Sequence, residues 1–354
     1  MTESTQPSRH DRILGALLGV HAGDSLGATV EFKPWENIQR EYPQGVRDII
    51  GGGTFGWSPG HATDDTDLTR AVLLAYRETE ETRRDPTTKK QPNVVKLSAQ
   101  NMVDWYDGRW PGRTRGETPV DVGGATAAGI RRYKQTGDPA TSGAGEGQAG
   151  NGSLMRCIPT ALFQPDPSLL VYESQAISAI THNDSHCTIA CVSYNAMVQA
   201  LVHGKTPQEA YDEGERIIAS CIPAGNKHPI LALAAKRVGA AIEAGKSQVK
   251  VQDLAENGPK HAANASRVIP FKGAGYVLES LTIAVAALFD PRPLEDVLVD
   301  VVRFGKDTDT NGAIAGGLLG ARDGVGAIPE RWREKLQFGK EFIDIVDYML
   351  SGEQ

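Results

Sequence analysis

Apolar residues recur along most of the chain at spacings of three and four, the rhythm of α-helices with one buried face. Leu68, Val72, Ala75 and Tyr76 follow His61-Ala62-Thr63-Asp64-Asp65-Thr66 in this register, which predicts a helix whose start carries the polar run. Ile130 and Tyr133 continue the apolar face of an Ala-rich segment that Asp121 precedes and Gly137 ends. Thr206-Pro207-Gln208-Glu209 is a capping box with proline at the first helical position, opening a helix that runs to about Ser220. Residues 229–244 and 294–304 share the periodicity, and Pro329 is expected to start a final helix bearing Trp332, Leu336, Phe342, Ile345 and Val346. The most apolar stretch, 277–289, is interrupted by Glu279 and has the length of a buried helix rather than a membrane span. The best strand candidate is the β-branched run at 46–50, and one short strand makes no sheet. Stretches at 85–93, 110–119 and 139–150 are rich in Pro, Gly, Thr or charge and read as loops, none long enough to be a clear interdomain linker. The pattern predicts an all-α protein.

Two segments add a further periodicity. Gly15, Gly19, Gly23 and Gly27 fall four apart, as do Gly312, Gly316, Gly320 and Gly324, so each set lines one helix face. Glycine inside a helix costs about 1 kcal/mol relative to alanine. Its repetition implies close helix–helix contact. Arg12, His21 and Asp24 in the first segment, and Arg322 and Asp323 in the second, disfavour a membrane setting.

Composition narrows the class. In 354 residues, 40% are hydrophobic and 23% charged, which places the chain among water-soluble globular proteins. The polar stretch Met1 to His10 lacks the apolar core of a signal peptide, and no run is long enough to span a bilayer, so a cytoplasmic location without membrane association is expected. Net charge of −7 and the lack of a Lys/Arg stripe argue against non-specific nucleic-acid binding. The four cysteines, Cys157, Cys187, Cys191 and Cys221, are too scattered for a disulfide framework and are expected to be reduced and buried.

The candidate chemistry lies in two acidic helix starts. A bland start needs one Ser, Thr, Asp or Asn, and a first-turn acid gains about 0.3–1 kcal/mol from the helix dipole. Asp64, Asp65 and Asp67 exceed that need, and Asp307-Thr308-Asp309-Thr310-Asn311 precedes the helix of the second glycine ladder. Hard divalent cations prefer such carboxylate and hydroxyl oxygens. From chemistry alone, a metal site and a pair of acidic caps both remain open.

Six motifs occur in a telling order: Gly23-Asp24-Ser25-Leu26-Gly27 with Val30-Glu31-Phe32, Thr63-Asp64-Asp65-Thr66, Gly150-Asn151-Gly152-Ser153-Leu154-Met155-Arg156, Ile180-Thr181-His182, Gly273-Ala274-Gly275-Tyr276-Val277, and Asp307-Thr308-Asp309-Thr310-Asn311-Gly312. In this the chain resembles the ADP-ribosylglycohydrolase family and the dinitrogenase reductase-activating glycohydrolases within it. The resemblance implies a compact orthogonal multi-helix bundle with a dinuclear metal cleft, one domain over 11–350 behind a disordered tail at 1–10. It implies two Mg²⁺ or Mn²⁺ ions held by Thr63, Asp64, Asp65, Asp307, Asp309 and Thr310, with Thr308 not a ligand. Such ions can orient ribose hydroxyls, polarise the glycosidic centre and activate water. Glu31 and Asp121 become acid/base candidates, although Asp121 also fits a helix cap and Glu31 a surface carboxylate. Asn151, Gly152 and Ser153, read as closing a glycine-rich loop and opening a helix, become candidates for the pyrophosphate, with His182 and Tyr276 as further ADP-ribose contacts.

The implied activity is metal-dependent removal of ADP-ribose, the product, from an ADP-ribosylated protein or other acceptor, most often modified arginine. Serine, O-acetyl-ADP-ribose and nucleic-acid linkages, a two-metal nucleotide phosphohydrolase and a non-catalytic ADP-ribose binder are the alternatives. Gly51-Gly52-Gly53-Thr54-Phe55-Gly56 matches a dinucleotide fingerprint, but Trp57-Ser58-Pro59-Gly60 stands where its helix should begin. His182, His186, Cys187 and Cys191 resemble a zinc set that one helix cannot gather round an ion. Ala62 stands where relatives often carry an aromatic residue and is expected to widen the pocket, and Lys306 where they often carry a small one, with a carboxylate, substrate phosphate or solvent as its partner.

Overall fold

A computed structural model describes residues 6–87, 92–222, 228–265 and 275–352, the side chains of 261–265 excepted. Gly273 and Ala274 of the fifth motif lie outside these residues. Among them run sixteen α-helices. They are α1 (Arg9–Gly27), α2 (Trp35–Glu41), α3 (Asp64–Arg84), α4 (Val94–Tyr106), α5 (Gly124–Thr136), α6 (Ile158–Phe163), α7 (Pro167–Ala179), α8 (Ser185–Val202), α9 (Pro207–Ile218), α10 (Pro229–Ser247), α11 (Val251–Ala265), α12 (Val277–Leu288), α13 (Leu294–Arg303), α14 (Thr308–Asp323), α15 (Glu330–Arg333) and α16 (Gly339–Leu350). The fold is all-α, as the periodicity indicated. None of the described helices is long and apolar enough to cross a membrane.

The expected strand at 46–50 does not form. Val46 and Ile49 are buried among helices, which offer no edge to pair with, and Gly51, Gly52 and Gly53 then take positive φ and turn the chain back. What remains is a single bridge between Gly52 and Trp57, a loop closure rather than a dinucleotide motif. The expected last helix is broken into α15 and α16, because the intervening turn bonds elsewhere. Gln337 N–H donates to Gly60 O at 2.9 Å and Phe338 N–H to His21 Nε2 at 3.3 Å. At the other end, Ser8 caps α1 reciprocally with Asp11, so the first helix begins at Arg9, inside the stretch expected to be a tail.

Helices α1 and α14 form the axis of the molecule, antiparallel and in backbone contact. A Cβ on Gly19 would lie 2.2 Å from Gly316 O, one on Gly23 2.0 Å from Gly312 O, and one on Gly320 1.9 Å from Gly15 O. No side chain fits there, which is why the chain accepts the helix-propensity cost of both ladders. Every residue of α1 from Arg12 to Gly27 is buried. Arg12 donates to Ala321 O at 3.0 Å, covering a carbonyl at the C-terminal end of α14. Thr308 Oγ1 donates to Gly27 O at 2.8 Å, so this hydroxyl pins the opposite end.

The ladder yields a direct test. Gly19→Ala is expected to destabilise the protein by about 2–4 kcal/mol, because overpacking here meets backbone rather than a movable side chain. Gly239→Ala on α10, whose added methyl meets nothing within 4 Å, is expected to be neutral or stabilising. Chemical denaturation midpoints of the two variants check the pair.

Candidate active site

The antiparallel contact sets the C-terminus of α1 beside the N-terminus of α14, and a third helix start joins them. Thr63 caps α3 by accepting from Asp65 N–H. Asp24, near the end of α1, reaches the same turn: its Oδ2 accepts from Thr63 N–H at 3.1 Å, from Thr66 N–H at 3.2 Å and from Thr66 Oγ1. A carboxylate on one helix thus caps another, fixing α3 against α1. Thr310 Oγ1 then donates to Asp65 Oδ2 at 3.4 Å, so the two acidic helix starts meet across the chain.

Around that junction lies a cleft of about 640 Å³. Glu31 enters from the turn after α1, 5% exposed, and Asp121 from the segment before α5. Carboxylate oxygens of Glu31, Asp121 and Asp309 lie within 4.8 Å of one another. Asn151 Nδ2 donates to Asp307 Oδ2 at 2.7 Å and to Ser280 Oγ at 2.9 Å, holding Asp307 in place. Asp64, Asn151, Gly152, His182, Asp307 and Thr310 also line the opening. Thr63 and Asp65 form the buried floor behind them.

Three expectations change. Asp121 is not a helix cap, since α5 begins at Gly124 and Gly123 takes the cap position. Residues 151–153 do not open a helix: turns follow to Arg156, and α6 starts only at Ile158. Arg156 imposes this bend, its buried guanidinium donating to Gly152 O and to Thr181 Oγ1, the latter at 2.6 Å. Ala62, 1% exposed, packs inside with its N–H on Gln337 Oε1 at 3.0 Å and does not enlarge the cleft.

Ser153 and Tyr276 stand apart from the opening. The Ser153 hydroxyl is buried against Ser178 Oγ at 2.9 Å, and Tyr276 caps α12 and bridges Gly150. Asp24 is a structural residue of the site whose role its motif alone does not show. Its signal was an acid set inside a glycine ladder, a place where every neighbour is buried.

Electrostatics single out the cleft. Burial, then Asp121 and Asp307, pushes the Glu31 carboxyl up to about 9, and burial and Asp307 raise Asp121 to about 6. Asp24 rises to about 7 through burial, while Asp64, Asp65 and Asp309 are held well above the usual carboxylate range by burial and by neighbouring acids. Burial and then Arg156 push His182 down to about 3, so it is a neutral imidazole, its Nδ1 2.8 Å from Thr181 Oγ1. One oxygen each of Asp24, Glu31, Asp65, Asp121 and Asp309 is buried without a hydrogen-bond partner. Such orphans are costly unless something cationic satisfies them. The donor set, all hard oxygen, fits Mg²⁺ or Mn²⁺.

A second group, Glu146, Asp184 and His186, also brings ligand atoms within 4.8 Å. Its capacity is used internally. Asp184 Oδ1 accepts from His186 N–H at 2.8 Å, Asp184 Oδ2 accepts from Gly147 N–H at 2.7 Å, and Glu146 accepts from the Ser185 hydroxyl. The four cysteines are free and buried, Cys187 turning its thiol to Gly150 O rather than to a metal.

Comparison with known proteins accords with this geometry. The model of the family ADP-ribosylglycohydrolase matches residues 5–354. The chain is 31% identical over 341 residues to the ADP-ribosyl-[dinitrogen reductase] glycohydrolase of Rhodospirillum rubrum, covering 95% of this chain and 94% of that protein. It is 28% identical to the ADP-ribosylarginine hydrolase Tri1 of Pseudomonas putida (strain GB-1), over 97% of this chain and 82% of that protein. A solved structure described as an ADP-ribosylglycohydrolase-related protein complex superposes with a TM-score of 0.70 at 28% identity, covering 97% of this chain and 98% of the other. With its helical fold, its junction of two acidic helix starts and these likenesses, the chain belongs to the ADP-ribosylglycohydrolase family, hydrolases of glycosidic linkages to ADP-ribose.

Proposed function

We propose that this protein removes ADP-ribose from ADP-ribosylated arginine on proteins, using two Mg²⁺ or Mn²⁺ ions held by Thr63, Asp64, Asp65, Asp307, Asp309 and Thr310. The observation that carries the reading is the convergence of orphaned carboxylate oxygens from Glu31, Asp121 and Asp309 on one cleft, with a further orphaned oxygen on the buried Asp65. Relatives named for hydrolysis of ADP-ribosylarginine and of ADP-ribosylated dinitrogen reductase support the acceptor. When bound, the ions supply Lewis acidity and positive charge beside the ribose.

The chain's own groups do the rest. Asn151 steadies Asp307 and presents the 150–152 turn to the ligand, while the neutral His182 offers hydrogen bonds without charge. Asp24 keeps Thr63, Asp64 and Asp65 in register with α14. Glu31 and Asp121 carry the proton transfers: one proton must reach the departing guanidino nitrogen and one must leave the attacking water. Two neighbouring carboxyls held at different proton affinities, Glu31 raised further by Asp121 beside it, suit that division.

Purified protein is expected to release intact ADP-ribose from an arginine-ADP-ribosylated protein with Mg²⁺ or Mn²⁺, and to stop in EDTA. Glu31→Gln and Asp121→Asn are each expected to lower kcat by about 10²–10⁴-fold. Free phosphate as the product, or turnover untouched by EDTA, contradicts the reading.

The raised carboxyls also set a pH dependence. Between the ordinary carboxylate value and the elevated values near 6, 7 and 9, the folded state holds protons the unfolded chain has lost. Stability of the metal-free protein is therefore expected to fall as pH rises from about 4 toward 9. Added Mn²⁺ is expected to raise Tm, and by more at pH 8 than at pH 5.5. Thermal unfolding at both pH values, with and without the ion, measures this.

A further inference from the structure

Phe32 and Lys306 are the non-glycine residues with positive φ among the described residues, at 65° and 67°. They belong to one device. Phe32 N–H donates to Lys306 O at 2.7 Å and Lys306 N–H donates to Lys33 O at 2.8 Å, locking the turn that carries Glu31 to the segment that leads into Asp307. Both side chains line the cleft. Left-handed backbone is readily taken by glycine, and a long side chain holds it only under constraint. Strain of this kind concentrates at functional sites.

A second observation is independent of the backbone. Lys306 is exposed at the cleft, and its ammonium makes no hydrogen bond or ion pair with any described residue. It is also the one ammonium or guanidinium among the described residues lining a cleft that Glu31, Asp64, Asp121, Asp307 and Asp309 make acidic. An ADP-ribosylated substrate brings an anionic pyrophosphate into these surroundings. A substrate anion entering the cleft meets in Lys306 the one cationic side chain among its described lining residues.

We propose that Lys306 is a specificity-determining residue that takes an anionic oxygen of the substrate at the lip of the cleft. The inference rests on the ADP-ribosyl hydrolase reading above. Two sources share that chemistry: the pyrophosphate of ADP-ribose, and an acidic side chain flanking the modified residue of the acceptor.

Lys306→Gly removes the ammonium and relieves the backbone, Lys306→Asn removes the charge while tolerating positive φ, and Lys306→Arg keeps the charge. Calorimetric titration with free ADP-ribose in the presence of Mg²⁺ gives one arm. Hydrolysis of peptides bearing one ADP-ribosylated arginine, flanked by aspartates or by serines, gives the other. If the pyrophosphate is the source, Lys306→Gly and Lys306→Asn weaken ADP-ribose about tenfold, Lys306→Arg much less, and the loss shrinks at high salt. If the acceptor is the source, ADP-ribose affinity is unchanged and KM rises about tenfold for the aspartate-flanked peptide alone. Tm is expected to hold or rise in Lys306→Gly, which separates lost affinity from lost folding. Unchanged ADP-ribose affinity together with unchanged KM for both peptides overturns the proposal. Wild-type protein that binds ADP-ribose but cleaves neither peptide sinks the hydrolase reading instead, and the ADP-ribose arm still decides Lys306.

Discussion

The molecule depends on one contact: two helices laid backbone against backbone along matched glycines. Because α1 and α14 are antiparallel and admit no side chain between them, their relative register is fixed by main-chain atoms. The start of α14 is thereby held beside the end of α1, from which Asp24 captures the start of α3. Two acidic helix starts, one offering Asp65 and the other Thr310, 245 positions apart in sequence, come within hydrogen-bonding distance as a result. The glycines therefore specify the site as much as the aspartates do.

This arrangement sets stability against function. Several carboxyls are buried together, with orphaned oxygens and raised affinities for protons, and little cation from the protein itself to balance them. Left to itself such a cluster repels. A fold that holds it must be braced elsewhere, and the apolar faces of α8, α12, α13 and α14, nearly all buried, supply that bracing. The same repulsion shapes the chemistry: the acids of the cleft titrate at different pH values because burial and neighbours differ from one to the next.

Much of this was legible in the chain. Helices α1, α3, α5, α9, α10, α12, α13 and α14, both glycine ladders and both acidic starts follow from periodicity and spacing, since each is a local property of the sequence. The misreadings are places where tertiary contacts overruled local preference. The β-branched run containing Val46 and Ile49 found no strand to pair with. Arg156 bent the 151–156 segment into turns where a helix start was expected. The turn before α16 spent its donors on Gly60 and His21. Asp24 holds the start of α3, 39 positions away at Thr63; its place in the glycine ladder marks it as buried but does not say which helix it caps.

The central claim is that the two acidic helix starts form one cation site rather than two separate caps. A double-mutant cycle on Mn²⁺ affinity, with Asp65→Asn and Asp309→Asn made singly and together, tests it most directly. The account predicts saturable Mn²⁺ binding by the unaltered protein, a large loss in each single variant, and little further loss when they are combined. Additive effects, or Mn²⁺ affinity retained in either single variant, would show that the clusters bind independently or not at all, and would contradict it.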